Sequence, residues 1–287
     1  MTLIDCRKQF HDAICHDLLK ISKSKKKNGD YPNNADGDSA ISVKIAWGIL
    51  NRITEKPIIE KMSGQSAGRI FEQLIKEYIE NAFGLLQHIR PGNWKYYIET
   101  EITQFEQYKD LAEVEKVLKS NKKLATTFGQ DYIIKPDIVI SREPISTDKI
   151  NEIKAILKNE DEISKLTPFI KSNFDPWKEL LHASISCKWT LRSDRAQNIR
   201  TEAFNLIRHR KGHIPHIVAV TGEPTLTRIA SLALGTGDID CVYHFALHEL
   251  KETLDEIQDE SQLDMYAMLV EGKRLRDISD LPFDLAV

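Results

Sequence analysis

Three charged residues between positions 137 and 202 have types and spacing that suit phosphodiester hydrolysis. Asp137 follows Pro136 in a strand-like segment, Lys188 lies in the next such segment, and Glu202 lies fourteen residues further on. Carboxylates can hold Mg²⁺, a hard cation that prefers oxygen ligands and keeps some of its water. A bound cation activates a water, and a lysine near the scissile phosphate stabilises charge. The pattern therefore favours a metal-dependent nuclease, although an Asp and a Lys on two strands are common.

A second charged cluster follows Lys188 almost directly. Arg192, Asp194 and Arg195 surround Ser193, a candidate N-cap, at the predicted start of a helix. The helix dipole favours anions at this end, so two arginines there indicate a ligand. Arginine pairs with O6 and N7 of guanine, and a carboxylate accepts a hydrogen bond from N4 of cytosine. The cluster is interpreted as a reader of G·C pairs in the major groove, with a surface ion-pair cluster as the alternative.

Alternating strand-like and helical segments in the second half of the chain predict an α/β fold with helices on both faces of a sheet. The predicted strands are 131–141, 182–190, 215–221 and 239–245, and the predicted helices are 194–210, 224–233 and 246–258. In the second strand, period-two alternation places Ser184, Ser186 and Lys188 on one polar face. We expect this face to border a cleft next to Asp137.

The first half of the chain is predicted to be mainly helical. Helices are predicted over 4–20, 40–53, 67–89 and 104–120, the last of them exposed, and 147–180 is polar and helix-prone. Glu72 lies at the border of the apolar stripe of helix 67–89. Residues 21–39 are predicted as a surface loop because Gly, Pro, Asn and Lys dominate them. No repeat or low-complexity linker divides the chain, so 1–287 is predicted as a single domain.

The composition excludes several classes of protein. A net charge of −3 with 41% hydrophobic and 29% charged residues excludes a histone-like polycation but allows a DNA-binding cleft. The sequence has no run of eighteen apolar residues and no apolar segment at its start. We therefore predict neither a transmembrane helix nor a secretory signal and expect a cytoplasmic protein. The four cysteines lack C-x-x-C spacing, which favours reduced thiols over a structural zinc site.

Long stretches of the sequence resemble the type II restriction endonucleases that recognise CCGG cores. The similar stretches are NADG at 34–37, GQSAGRIFE at 64–72, LQHIRPGNW at 86–94, DYIIKPDIVISR at 131–142, LHASISCKWTLRSDRAQNIRTEAFNLIRHR at 181–210, and the segments 211–250 and 272–287. The resemblance covers most of the chain beyond residue 30, apart from 143–175. It implies the PD-(D/E)xK restriction-endonuclease-like fold, a central mixed β-sheet flanked by helices. The variant implied is one in which a helix supplies one active-site acid.

The resemblance also implies catalytic roles. Ser186 occupies the position of the usual acid, and Glu202 supplies the carboxylate from the helix. Asp137 would bind two Mg²⁺ ions, the backbone carbonyl of Cys187 would bind one of them, and Glu202 would complete the metal site. Lys188 would contact the attacking water or the scissile phosphate.

Further roles concern the second metal ion and the bases. Glu72 would lie near the second metal or its water ligands, with a helix-surface acid as the alternative. Arg192, Asp194 and Arg195 would read the central CCGG from the major groove. Gln65, in the GQSAG turn, would enter the minor groove, where an amide can test base edges.

The outer base pair is assigned through two more residues. Asp36 and Arg228 would read an outer G·C pair, which gives GCCGGC as the expected site. The alternative for Asp36 is an Asx-turn residue, and the alternative for Arg228 is a charge on a helix surface. Asp38 departs from the smaller polar residue expected after the ADG motif. The family cuts after the first G, leaves four-base 5′ overhangs, and assembles as tetramers that hold two DNA duplexes. A palindromic site requires at least a two-fold dimer.

The leading hypothesis is thus a Mg²⁺-dependent restriction endonuclease of a restriction-modification system. A CCGG-core nuclease with another outer pair, and a non-cleaving DNA-binding protein of the same fold, are the alternatives. Asp137, Lys188 and Glu202 argue against a pure binder, which has no need of clustered acids beside phosphates. The cluster from Arg192 to Arg195 argues against a repair nuclease of loose specificity.

Overall fold

The structure, a computed structural model, describes residues 1–25, 28–54, 56–128, 133–158, 160–235 and 237–287, with backbone only at 128 and 193–195. The strands are β1 (Lys20–Ser22), β2 (Tyr31–Pro32), β3 (Ile58–Ile59), β4 (Trp94–Ile98), β5 (Ile138–Arg142), β6 (Leu180–Lys188), β7 (His216–Thr221), β8 (Cys241–His244) and β9 (Leu275–Asp277). The helices are α1 (Leu3–Ala13), α2 (Ala40–Ile53), α3 (Gly64–Gly84), α4 (Leu111–Ser120), α5 (Lys122–Phe128), α6 (Thr147–Ile150), α7 (Ser193–His209), α8 (Leu226–Ala233), α9 (Leu247–Ile257), α10 (Glu260–Glu271) and α11 (Leu281–Asp284). In the described part of the chain, no helix has the length and apolar character needed to cross a membrane.

The chain folds as two compact units. The first comprises 1–91, 185–203 and 217–287, and the second comprises 92–184 and 204–216. Strand β6 begins in the second unit and ends in the first, whereas α7 begins in the first and ends in the second. A single endonuclease domain over 1–287 stays a prediction.

The first unit is built on parallel strands. The end of β6, then β7, β8 and β9, lie side by side in that order. The register pairs Val218 with Cys241 and Val242 with Leu275, both in parallel ladders. Because parallel neighbours need a crossover, α8 links β7 to β8, and α9 and α10 link β8 to β9. The strand and helix alternation predicted from the sequence is confirmed here.

Aromatic packing holds α1 and α3 in the core of the first unit. The ring centroids of Phe10 on α1 and Tyr78 on α3 are 5.1 Å apart. Phe71, also on α3, lies 5.1 Å from the ring of Trp189, which in turn lies 5.3 Å from Phe245. These contacts fix α3 against the residue that directly follows β6.

The predicted surface loop at 21–39 contains more regular structure than its composition suggests. Strand β1 pairs antiparallel with β2 and parallel with β3. The Asn33 amide donates a hydrogen bond to the Leu18 carbonyl at 2.8 Å, and Asn34 is only 1% exposed. Asparagine side chains can replace backbone partners in turns, so a polar segment can be ordered without an apolar face.

The second unit contains an antiparallel pair of strands and a long irregular segment. Strand β4, which the sequence analysis does not predict, pairs with β5 from Trp94 opposite Arg142 to Ile98 opposite Ile138. The predicted exposed helix at 104–120 is wrong in its first part, because Phe105 and Tyr108 are buried and the helix begins only at 111. Tyr108 ends a short 3₁₀ turn, and Phe105 lies just before that turn in an extended conformation.

The helix-prone prediction for 147–180 is also wrong. In the described residues 147–158 and 160–180, α6 and one 3₁₀ turn are the only helical segments before β6 begins at Leu180. The Asn151 carboxamide oxygen accepts hydrogen bonds from the N–H groups of Ile156 and Leu157, at 2.9 and 3.0 Å. Such side-chain bonds to the backbone compete with helix formation.

Candidate active site and DNA-reading residues

Lys188 lies at the end of β6, where the strand emerges from the core. Its carbonyl oxygen accepts hydrogen bonds from the Thr221 hydroxyl at 2.8 Å and from the Gly222 N–H at 3.2 Å. Lys188 is half-buried, whereas Ser184 and Ser186 are 3% and 7% exposed. The prediction of an open polar face is therefore wrong at both serines, because strands covered on both faces bury both sets of side chains.

The residue after Lys188 connects several elements of the first unit. The Trp189 indole N–H donates a hydrogen bond to the Asn33 carboxamide oxygen at 3.1 Å, and its ring packs on Phe71. Glu72, next to Phe71 on α3, is half-buried. The sequence neighbours of Lys188 and Glu72 are thus in direct contact, which brings α3 to the end of β6.

Helix α7 carries Glu202, which is half-buried, and begins at Ser193. Arg200 anchors α7 to α8, since its guanidinium donates to the Ser231 carbonyl at 2.7 Å. Arg192, directly before α7, is exposed. The predicted N-cap role of Ser193 and the side chains of Asp194 and Arg195 lie outside the described residues.

Asp137 belongs to the second unit, where it directly precedes β5. Its carbonyl oxygen accepts a hydrogen bond from the Glu99 N–H at 3.1 Å, and the residue is half-buried. Pro136, before it, is buried and lies outside the strand, so its missing N–H costs no ladder bond.

Gln65 and Glu72 lie on the same helix, α3. Gln65 is exposed in the first turn, so the predicted GQSAG turn is helical; Ser63 caps it by accepting a hydrogen bond from the Ser66 N–H at 3.0 Å. Glu72 follows seven residues later, a rise of about 10 Å. The same seven-residue spacing separates Arg195 from Glu202 on α7.

Asp36 and Arg228 form a side-chain pair. The Arg228 guanidinium donates a hydrogen bond to one carboxylate oxygen of Asp36. The other oxygen accepts the Asp38 N–H at 3.1 Å, which is an Asx turn. This backbone bond, together with Arg228 and Arg192, holds the pKa of the Asp36 carboxyl below its usual range. The structure therefore brings three of the predicted base readers together, and Asp36 is at once a turn residue and an ion-pair partner.

Glu223 is a residue of this neighbourhood that the sequence analysis does not single out. Its side chain is fully buried, and one carboxylate oxygen accepts the Leu191 N–H at 3.0 Å. The other accepts the Thr225 N–H and hydroxyl, at 3.3 and 2.5 Å. Arg228 approaches to 3.8 Å. Burial raises the pKa of Glu223, while these donors and Arg228 favour its charged form. The sequence feature that could have indicated Glu223 is its position two residues after the end of the buried strand β7.

The candidate metal ligands have suitable donor chemistry. Asp137, Glu202 and Glu72 offer half-buried carboxylates, and Cys187 offers a backbone carbonyl. Within the described residues, no three His, Cys, Asp or Glu side chains are clustered closely enough to form a complete metal cage. Mg²⁺ often uses only one or two carboxylates together with water and substrate phosphates, so the oxygen donors in each unit are of the kind that fits Mg²⁺.

Comparison with known proteins identifies the family of this chain. A family model described as the NgoMIV restriction enzyme matches residues 10–287. The type II restriction enzyme NgoMIV of Neisseria gonorrhoeae is 46% identical over 286 residues, which are 98% of this chain and 97% of the relative. The protein is therefore a type II restriction endonuclease, a site-specific DNA nuclease with an α/β restriction-endonuclease-like fold. Within that class it belongs to the NgoMIV restriction enzyme family.

Two solved structures are more distant. The restriction endonuclease Bse634I with cognate DNA is 14% identical, covers 86% of this chain and 99% of its own, and has a TM-score of 0.37. A second Bse634I structure is 14% identical, covers 88% and 99%, and has a TM-score of 0.35. Similarity at this level supports no statement about individual residues.

Proposed function

We propose that this endonuclease hydrolyses double-stranded DNA at GCCGGC, cutting after the first G to leave 5′ CCGG overhangs. The pairing of Asp36 with Arg228 carries the assignment of the outer base pair. In the major groove a G·C pair presents acceptors on guanine beside an N–H donor on cytosine. A guanidinium and a carboxylate within hydrogen-bond distance of each other match that edge. The cut position rests on the family resemblance.

The central CCGG is assigned to Arg192, Asp194 and Arg195. Arg192 is exposed, and its charge contributes to the lowered pKa of Asp36, which supports a common role for these residues in base reading. Gln65, exposed at the start of α3, is proposed to test base edges from the minor groove. Each subunit would read one half of the palindrome, and we propose a homotetramer that holds two duplexes.

We propose that Asp137, Glu202 and the Cys187 carbonyl hold Mg²⁺, with two ions per active site and Glu72 near the second. When bound, these ions would neutralise charge on the scissile phosphate and activate a water. Lys188 would orient that water or contact the phosphate, from a backbone position fixed by its carbonyl hydrogen bonds.

Ser186 would have a different task from the acid whose position it occupies in the family pattern. Its hydroxyl is buried within β6 and, unlike a carboxylate, carries no charge to offer a metal ion. Glu202 would supply the missing negative charge from α7, which supports the variant of the fold in which the acid has moved to a helix.

Digestion of two plasmids tests the proposed function. One contains GCCGGC, the other differs only by changing each site to ACCGGT, and the ends are sequenced after incubation with Mg²⁺ or with EDTA. We expect Mg²⁺-dependent cuts after the first G in the first plasmid alone. Cleavage of both plasmids would overturn the outer-pair assignment, and cleavage in EDTA would overturn the metal requirement.

The tetramer is tested separately, by sedimentation with and without a GCCGGC duplex. A species with four subunits and two duplexes is expected. A dimer with a single duplex under saturating conditions would contradict that assembly and leave the specificity unaffected.

A further inference from the structure

A charged carboxylate is buried at a high cost in free energy unless it is paired and hydrogen-bonded, so the partners of Glu223 are informative. Glu223 is fully buried, and its donors come from both sides in the sequence: Leu191 before α7, and Thr225 and Arg228 around the start of α8. The acid therefore joins two segments that the chain separates by about thirty residues.

Each of these two segments carries a proposed base-reading arginine, Arg192 in the first and Arg228 in the second. Leu191, whose N–H is bound by Glu223 at 3.0 Å, directly precedes Arg192. Thr225 is the N-cap residue of α8, and its carbonyl accepts the Arg228 N–H at 3.2 Å. A movement of the Glu223 carboxylate would thus shift the backbone that carries both arginines.

The Arg228 side chain lies between two acids. Nη2 donates to Asp36, while Nη1 lies 3.8 Å from the Glu223 carboxylate. Arg228 is 38% exposed at its side chain, whereas Glu223 is inaccessible to DNA. When Asp36 turns to a cytosine, Glu223 is still able to hold the guanidinium from the protein side.

We propose that Glu223 is a positioning residue that sets the discrimination of the outer base pair by fixing Arg228. This inference rests on the proposed recognition of GCCGGC. Glu223 would contact no base, and its effect would pass through the Arg228 guanidinium and, to a smaller degree, through the backbone before Arg192.

Glu223→Gln tests this role because it removes the charge facing Arg228. One amide oxygen still accepts hydrogen bonds, while the NH2 group replaces an oxygen that accepts from Leu191 or Thr225. Affinities for GCCGGC, ACCGGT and GCATGC duplexes are measured with Ca²⁺ in place of Mg²⁺. The preference for GCCGGC over ACCGGT should fall roughly tenfold. The preference over GCATGC, which changes the core, should fall much less.

Asp277→Asn is the matched control for burial. Asp277 is a buried carboxylate of the same unit that likewise accepts an arginine, Arg7, at 2.9 Å and a backbone N–H, that of Leu247, at 3.0 Å. This variant should lose stability and keep its base preference. Equal effects of the two substitutions on the ACCGGT preference would overturn the positioning role, because burial alone would then explain both.

A double-mutant cycle with Arg228→Ala locates the effect. If Glu223 acts through Arg228, Glu223→Gln should not lower outer-pair discrimination further in the Arg228→Ala background. Additive losses would contradict the proposal. Should Glu223→Gln fail to fold, Thr225→Val removes one donor of the same carboxylate and should lower the preference by a smaller factor; an unchanged preference would again contradict it.

Measurements on the wild-type protein distinguish a failure of the proposed GCCGGC specificity from a failure of the proposed role of Glu223. If it binds GCCGGC and ACCGGT equally, the proposed specificity fails and the role of Glu223 fails with it. If it discriminates and Glu223→Gln discriminates equally well, only the role of Glu223 is overturned.

Discussion

The residues proposed for base reading and those proposed for cleavage are held in different ways. Asp36, Arg228 and Arg192, the reading cluster, lie in one unit. Arg228 binds the Asp36 side chain, and the charge of Arg192 contributes to the lowered pKa of Asp36, while Glu223 accepts the N–H of Leu191, which precedes Arg192. Of the proposed cutting residues, Glu72, Lys188 and Glu202 lie on three separate elements, and Asp137 directly precedes a fourth, β5.

Hydrogen bonds to their carbonyl oxygens hold the backbone at Lys188 and Asp137. Recognition should therefore respond to the loss of a single side chain, whereas cleavage should also respond to backbone displacement. Substitutions of Lys188, Gly222, Arg228 and Arg195 test this difference.

The largest effect is expected for Lys188→Ala. Loss of a charge that stabilises the transition state should lower the single-turnover rate roughly 10²–10³-fold. Binding of GCCGGC duplex in Ca²⁺ should change little, because the reading cluster is intact. Lys251→Ala, at an exposed pair with Asp255, is the control and should cleave normally. Normal cleavage by Lys188→Ala would remove the residue from the active site.

Gly222→Ala should affect cleavage through the backbone. A Cβ at this position would overlap the Trp189 ring, next to Lys188. The variant should lose roughly 1–3 kcal/mol of unfolding free energy, as overpacking does. Its cleavage rate should also fall on the order of tenfold or more, since small displacements at a reacting centre are costly.

Gly48→Ala is the matched comparison for Gly222→Ala. Its Cβ would overlap Thr253, in the packing of α2 against α9, far in the sequence from the cutting residues. Similar destabilisation with normal cleavage of folded protein is expected from urea melts and rate measurements. An equal loss of rate in both variants would mean that general destabilisation accounts for the effect of Gly222→Ala.

Arg228→Ala should change specificity rather than chemistry. Removing the guanidinium should cost roughly 1–3 kcal/mol of preference for GCCGGC over ACCGGT. Arg195→Ala should instead weaken discrimination within CCGG by a similar amount. Competition binding against single-pair variants measures both. A uniform loss of affinity across all duplexes would identify Arg228 as a phosphate contact.

The smallest effect concerns the stability of the unit that carries the reading cluster. Burial lowers the pKa of His244 from 6.5 to about 4. Between these values the unfolded chain binds a proton that the folded protein excludes, so stability should fall as the pH drops through this window. His244→Phe should flatten that part of a urea-midpoint profile, whereas the exposed His248→Phe should not. An unchanged slope in His244→Phe would assign the pH dependence to other groups.

The sequence predicts the elements from β6 to α9 well, and those of the second unit before β6 poorly, for physical reasons. Apolar runs such as 216–221, which alternate with amphipathic helices, indicate buried strands. For this reason α7, β7 and α8 lie within a few residues of their predicted bounds. Strand β4 reads WKYYI, and its charged and phenolic side chains give no clear alternation. The segment 147–180 fails because side-chain bonds such as those of Asn151 decide its conformation.

Some residues of the candidate site are predicted from the sequence, and others are not. Asp36 and Arg228 stand out through residue type and family resemblance, and the structure pairs them. Glu223 does not stand out, because its partner Leu191 is distant in the sequence and contributes only a backbone N–H, which every residue but proline has. Periodicity cannot predict such a contact.

If Asp36 and Arg228 read the outer base pair as proposed, their pairing with each other limits the fidelity at the ends of the recognition site. A reader that meets the wrong base normally strands a desolvated charge, and that penalty provides much of its discrimination. These two side chains can return to each other instead, so a wrong outer base pair forfeits its hydrogen bonds without leaving a lone charge. Under conditions that relax specificity, star cleavage should therefore begin at sites altered in the outer pair, with the CCGG core conserved.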